Sequence, residues 1–150
     1  MKATRHGFTL VEILIVVLIL GILAAIVIPQ FSSATSDARN NSALSMLQSI
    51  RRQIEIFKVQ HADTPPTLGT NWTIMIGRST TTEVGSTAGA GTNFGPYLQR
   101  APVNPVNAAS AVTNVAPAAA QTTYGWYYQL NGGNYTLQAI NTTGGGLLTY

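Results

Sequence analysis

The side chains in this sequence that could carry acid–base, metal or nucleophilic chemistry are few and scattered. There are five acids (Glu12, Asp37, Glu55, Asp63, Glu83), two histidines (His6, His61) and no cysteine. The lack of cysteine removes a thiol nucleophile, a disulfide framework and thiolate metal sites. No two carboxylates stand as an evident acid/base pair, and no Ser-His-Asp set is visible. His61 has only Asp63 beside it in sequence, short of a metal-ligand set. Gly144-Gly145-Gly146 has no helix-forming sequence after it, so it does not read as a phosphate cradle. Oxygen donors such as Asn131, Asn134 and Asn141, with no acid after Glu83, would make a weak calcium site. The expectation is no catalytic residue, no metal, no cofactor and no enzyme.

One acid stands out by its surroundings. Glu12 is the only charge in Phe8–Ile28, FTLVEILIVVLILGILAAIVI. At about 1.5 Å per residue this run spans ~30 Å, the hydrocarbon thickness of a bilayer. A carboxylate in such a span costs a few kcal/mol and by default marks function. Lys2, Arg5 and His6 precede the run and favour a single pass with the N-terminus cytoplasmic. An ordinary secretory signal is the alternative, with Ser32-Ser33-Ala34 as a mimic of its cleavage site. Its apolar region is usually about 7–15 residues, shorter than this run, which continues into a helical pattern.

Gly7-Phe8-Thr9-Leu10-Val11-Glu12 resembles the cleavage and methylation motif of type IV pilins and of the pseudopilins of type II secretion. The following ILIVVLILGILAAIVIPQF resembles the family's helix, Gly21 and Pro29 included. The resemblance implies that residues 1–7 are a leader and that a prepilin peptidase cuts between Gly7 and Phe8. Gly7 offers no side chain to clash in a protease cleft, and the new Phe8 amine would be N-methylated and cationic. Glu12 of one subunit could then pair with the Phe8 amine of a neighbour, a buried charge made tolerable by its partner, and so set register during assembly. Pro29, which lacks an N–H, and Gly21 should kink or locally open the helix; in related filaments this stretch can lose helical order. A simple kinked transmembrane helix fits the same residues.

Beyond the span, Leu44, Leu47, Ile50, Ile54 and Phe57 form one stripe of an amphipathic helix. Ser45, Gln48, Arg52, Glu55 and Val59 lie on a more polar side. Arg51 and Arg52 read as a solvated face or subunit contacts in preference to phosphate or lipid binding. Pro65-Pro66 cannot continue a helix, so it should end near His61–Asp63. A helix over 8–62 would run about 80 Å if straight.

Residues 63–150 should form one small domain. Asn71–Ile76 reads as a short strand or a helical turn, Arg78–Asn93 as an irregular loop or weak strand, and Asn107–Gln121 as a mobile loop of low complexity. Tyr124–Leu130 and Asn134–Ile140 flank Asn131-Gly132-Gly133, a hairpin over 124–140. Its alternating pattern puts Tyr124, Trp126, Tyr128 and Leu130 on one face, toward the helix stripe. Core packing explains this aromatic ladder better than a sugar or base platform does. The glycosylation pattern at Asn71, Asn134 and Asn141 is what chance gives in so Asn- and Thr-rich a chain.

The expected fold is α+β: a long, partly transmembrane N-terminal helix packed at its C-terminal half on a small antiparallel sheet, as in pilins. The order of long helix, variable segment, Tyr97-Leu98…Pro102…Pro105 connector and Gly125-Trp126 hairpin resembles the major pseudopilins of type II secretion. It departs from them at Asn104-Pro105-Val106-Asn107, where that family usually has Asp-Pro-Trp-Gly, and in lacking the acids that often bind calcium. The resemblance implies a structural subunit of a pseudopilus, a helical homo-oligomer assembled from the inner membrane with its C-terminal domain periplasmic. Prepilin peptidase, an assembly platform and minor pseudopilins would be its partners. A type IV pilus or competence-type pilin is the first alternative, and a pilin-anchored ligand-recognition module the second. The charge of +3 falls to near neutrality without Lys2 and Arg5, and no basic patch points to nucleic acid.

Overall fold

The computed structural model describes residues 7–80, 82, 94–117, 123–141 and 146–148. Two compact units divide the chain, one up to Asp37 and one from Ala38. Helix α1, Leu10–Gln60, contributes to both. Thr9 caps its start. The α-helical run stops at Gln60, and the next turn folds back through Ala62 (φ 51°) and Asp63 (φ 61°). There the His61 and Asp63 amides donate to the Lys58 carbonyl at 3.0 and 2.9 Å, occupying an acceptor that the helix end leaves open.

In the second unit α1 buries Ala43, Leu47, Ile50, Ile54 and Phe57. The spacing is the amphipathic stripe expected, with Ala43 fully buried and Leu44 half-buried beside it. Against it pack Trp72, Ile74 and Met75 of α2 (Thr73–Ile76) and its approach, with Trp126, Tyr128, Leu137 and Ala139 from the sheet. Of the two readings of Asn71–Ile76, the helical turn is the one that forms. The Asn71 side-chain oxygen accepts the Thr73 amide at 3.0 Å and starts that turn.

The sheet has four strands in the order β1-β2-β3-β4: Val112–Thr113, Trp126–Asn131, Asn134–Ile140 and Leu147–Leu148. β2 and β3 form the hairpin, joined by Gly132 (φ 53°) and Gly133 (φ 89°). Both residues need positive φ, and glycine supplies it without a Cβ penalty. β1 pairs parallel to β2, so the sheet is mixed and not purely antiparallel. The expected loop at Asn107–Gln121 is corrected in its described part, because Val112 is fully buried in β1. Two asparagines fix that segment. The Asn104 amide donates to the carbonyls of Gly125 (2.8 Å) and Ile140 (2.9 Å), while its oxygen accepts the Val106 amide. Asn107 donates to the Tyr124 carbonyl at 2.7 Å and accepts from Ala109. Gly125 lies so close beneath this turn that a Cβ there would sit 2.0 Å from the Ala109 carbonyl oxygen. The Asn104 departure thus has a structural reason: a carboxylate could not donate to two carbonyls. Of Arg78–Asn93, residues 78–80 and 82 are described, and Ser79 forms an isolated bridge with Phe94; the remainder of that expected loop lies outside the described residues, as does Gly144-Gly145.

The hairpin departs from simple alternation. Trp126, Tyr127 and Tyr128 are all buried, whereas Leu130 is 41% exposed and Tyr124 half-buried. The polar ends of the large rings find carbonyls: Trp126 Nε1–H donates to Pro102 (2.9 Å), Trp72 Nε1–H to Ser110 (2.7 Å) and the Tyr128 hydroxyl to Pro66 (2.5 Å). Each aromatic therefore ties a connector to the core as well as filling it.

Candidate processing and assembly site

The candidate site lies where α1 begins. Gly7 and Phe8 precede the helix in non-helical backbone, and Phe8 is 77% exposed. Among the described residues, nothing stands within 4 Å of where a Gly7 Cβ would be. Thr9 takes the N-cap position and Glu12 the third helical position. The Glu12 amide donates to Thr9 Oγ1 at 3.3 Å, and the Thr9 amide donates to Glu12 Oε2 at 3.5 Å. This is a capping box. Its distances exceed the ~2.9–3.0 Å of a good N–H···O bond, so it is loose and can yield Glu12 to a stronger partner. Sequence reasoning missed Thr9; the signal was Thr-x-x-Glu ahead of an apolar run. A carboxylate in the first turn also meets the positive end of the helix dipole.

From Leu10 to Ile28, Glu12 apart, the helix is apolar on every side and its side chains are exposed: Leu10 is 81% exposed and Ile28 68%. A helix hydrophobic all round needs apolar surroundings, and this one is long and apolar enough to cross a membrane. Gly21 and Pro29 both lie within it, and the helix is continuous through them. Pro29 leaves the Ala25 carbonyl without its usual donor. Past it, Ser33 Oγ donates to the Gln30 carbonyl (3.0 Å) and Thr35 Oγ1 to that of Phe31 (2.8 Å), hydroxyl contacts that often bend helices.

The other residues singled out by type turn out to hold the second unit together. Arg51 is half-buried and donates to the Leu137 carbonyl of β3 at 2.7 Å, tying the helix to the sheet; Arg52 is exposed. Glu55 accepts the Tyr135 hydroxyl at 2.8 Å and lies 3.6 Å from Lys58, which also reaches Asp63 at 3.3 Å. Burial, then the Glu55 carboxylate, push the Tyr135 hydroxyl pKa well up; burial does the same at Tyr128. His61 is 1% exposed and stacked on Phe57, with ring centroids 3.7 Å apart. Its Nδ1 is 2.8 Å from the Phe57 carbonyl and its Nε2 3.0 Å from Ser79 Oγ. Sequence reading did not find this Ser–His pair, since its members are 18 residues apart. Ser79 is fully buried, so a substrate cannot reach its hydroxyl, and the pair acts as a clasp on the helix end. No group of three His, Cys, Asp or Glu side chains gathers among the described residues. Asn131 and Asn134 flank the hairpin turn, while Asn141 follows the far end of β3, ~23 Å away along an extended strand. The three cannot share an ion. The aromatic hairpin is no platform either, because its Trp126, Tyr127 and Tyr128 rings are buried.

Comparison with known proteins agrees with this geometry. Residues 2–28 match the model of the prokaryotic N-terminal methylation motif. The chain is 38% identical over 66 residues to type II secretion system core protein G of Pseudomonas aeruginosa, covering 44% of this chain and 46% of that protein. It is 32% identical over 69 residues to the protein of the same name in Escherichia coli, 45% of this chain and 48% of that one. It is 44% identical over 55 residues to the type IV major fimbrial protein FimA of Dichelobacter nodosus, 37% and 35% of the two chains. The matches span less than half the length of these curated relatives. No solved structure matches significantly. The long apolar helix followed by a small mixed sheet is consistent with the pilin fold. The N-terminus of this chain is thus a prepilin methylation motif, and its relatives are core G proteins of type II secretion and type IV fimbrial proteins.

Proposed function

We propose that this chain is a prepilin whose processed form is the structural subunit of a pilus-like filament serving type II protein secretion. The observation that carries the reading is an exposed apolar stretch of α1, residues 10–28, that directly follows Gly7-Phe8 and begins with a loosely held carboxylate. Before processing, the chain rests in the inner membrane with the C-terminal unit periplasmic. A prepilin peptidase removes residues 1–7 and frees the Phe8 amine, which is then methylated. Glu12 leaves its loose cap for the Phe8 amine of a neighbouring subunit, a charge-assisted bond stronger than the one it gives up. In a low-dielectric core an unpaired carboxylate is costly, so the pairing selects register as well as holding subunits together. Gly21 and Pro29 are the places where α1 opens to follow the packing of the filament.

Deletion of the gene tests this reading. Exported proteins should accumulate in the periplasm and return to the medium when the chain is supplied again. The identity to fimbrial proteins supports a second reading, a type IV pilus subunit. On that reading deletion removes surface pili and leaves secretion intact. A deletion with neither effect would contradict both.

A further inference from the structure

The face of α1 turned away from the sheet in the second unit is polar at Ser45, Gln48, Ser49 and Arg52. It then exposes Ile56 (46%) and Val59 (84%), which line an open hollow of 240 Å³ with Glu55 and Gln60. Exposed apolar side chains are common singly; here their arrangement matters. Residues four apart on a helix form ridges, and two neighbouring ridges are built alike. Arg52–Ile56 is a cation followed one turn later by an apolar side chain, and Glu55–Val59 is an anion followed likewise. Arg52 has no ion pair or hydrogen-bond partner among the described residues, and Glu55 keeps 57% of its side chain exposed despite Lys58.

We propose that these two ridges are a subunit–subunit contact whose occupant is a second copy of this chain. The copies lie parallel, the Arg52–Ile56 ridge of one beside the Glu55–Val59 ridge of the next. An offset of three residues, about 4.5 Å along the helix, sets Arg52 against Glu55 and Ile56 against Val59 together. An antiparallel copy on the same ridges would set Arg52 against Val59 and Ile56 against Glu55. Because each copy offers one ridge to each neighbour, the contact is heterologous and propagates into a filament. This inference rests on the filament reading and assigns it a second, extramembrane contact.

Cross-linking tests it cleanly, since the chain has no cysteine of its own. Two differently tagged full-length chains, one Ile56→Cys and one Val59→Cys, are co-expressed in cells that assemble the filament, and sheared filaments are oxidised. Facing side chains in this contact fall within disulfide reach. A dimer carrying both tags is expected, several-fold above any dimer from either variant alone. Filaments that form without the mixed dimer, or that cross-link equally like with like, overturn the contact and leave the filament reading standing. Failure of the unaltered chain to enter any filament overturns that reading and the contact with it. Arg52→Glu should lower filament yield several-fold with the unfolding midpoint of the domain unchanged; an unchanged yield contradicts the ion pair.

Discussion

At Glu12 two roles share one side chain, and they make different demands. As the third residue of a capping box it needs only an acceptor, which glutamine supplies as well as glutamate. As the partner of a neighbour's amine it needs the charge. Glu12→Gln should therefore keep the helix start and leader cleavage while reducing filament yield at least tenfold, as read from the sheared fraction. Normal yield would reduce Glu12 to a cap. At Asn104 the demand is for donors, because its amide faces the carbonyls of Gly125 and Ile140. Asn104→Asp turns a buried carboxylate on two carbonyl oxygens and should cost about 3 kcal/mol or more of domain stability. Asn104→Ala loses the bonds without adding a charge and should cost less. Denaturant unfolding of the two variants gives the order, and equal or reversed costs would contradict this account of the turn.

At the scale of elements, α1 combines a stable stretch with a weak one. The stripe Ala43–Phe57 is locked to the sheet, whereas Pro29 leaves the Ala25 carbonyl without its helix donor. Pro29→Ala restores that donor, removes a helix penalty of about 3 kcal/mol and should slow amide exchange across residues 22–30 in detergent micelles. Unchanged exchange would mean that Pro29 is not the weak point. Legibility followed the strength of each local pattern. The apolar span, the stripe and the Gly132-Gly133 hairpin were readable because one periodicity or one turn chemistry dominates each. β1 was not readable: Val112 and Val115 are isolated in an Ala-, Asn- and Thr-rich stretch with no alternating pattern, and the turn before β1 is pinned by Asn104 and Asn107, whose partners are distant in sequence. Arg51 was misread because its acceptor, Leu137, is 86 residues away. The Ser79–His61 clasp was hidden for the same reason. At the candidate site the Gly7–Glu12 motif was plain, but Thr9's cap was overlooked beside the louder question of a carboxylate in an apolar run.

The chain joins an apolar helical stretch to a small folded unit in which structural tyrosines stand beside two ion pairs of Lys58, with Glu55 and Asp63. Tyr128 and Tyr135 both hold their protons more tightly when folded than a free phenol does. The unfolded chain gives up those protons near pH 10, so it binds fewer protons than the folded one above that pH. Their contribution is fully present below pH 10 and is lost as pH rises beyond it. The loss at Tyr128 should approach ~1.4 kcal/mol per pH unit, and Tyr135, more open to water, should add less. Urea unfolding at pH 9, 10 and 11 measures the slope, and Tyr128→Phe should flatten it; a slope unaffected by that change would mean the phenol is not the cause. The central claim, that the chain is a processed prepilin, is tested most directly by the mass of the N-terminal peptide from membrane and sheared-surface fractions. The account predicts a chain that starts at N-methylated Phe8 and occurs in filaments. A chain that still starts at Met1 in cells with active prepilin peptidase, or one that starts near Ala34, would contradict it.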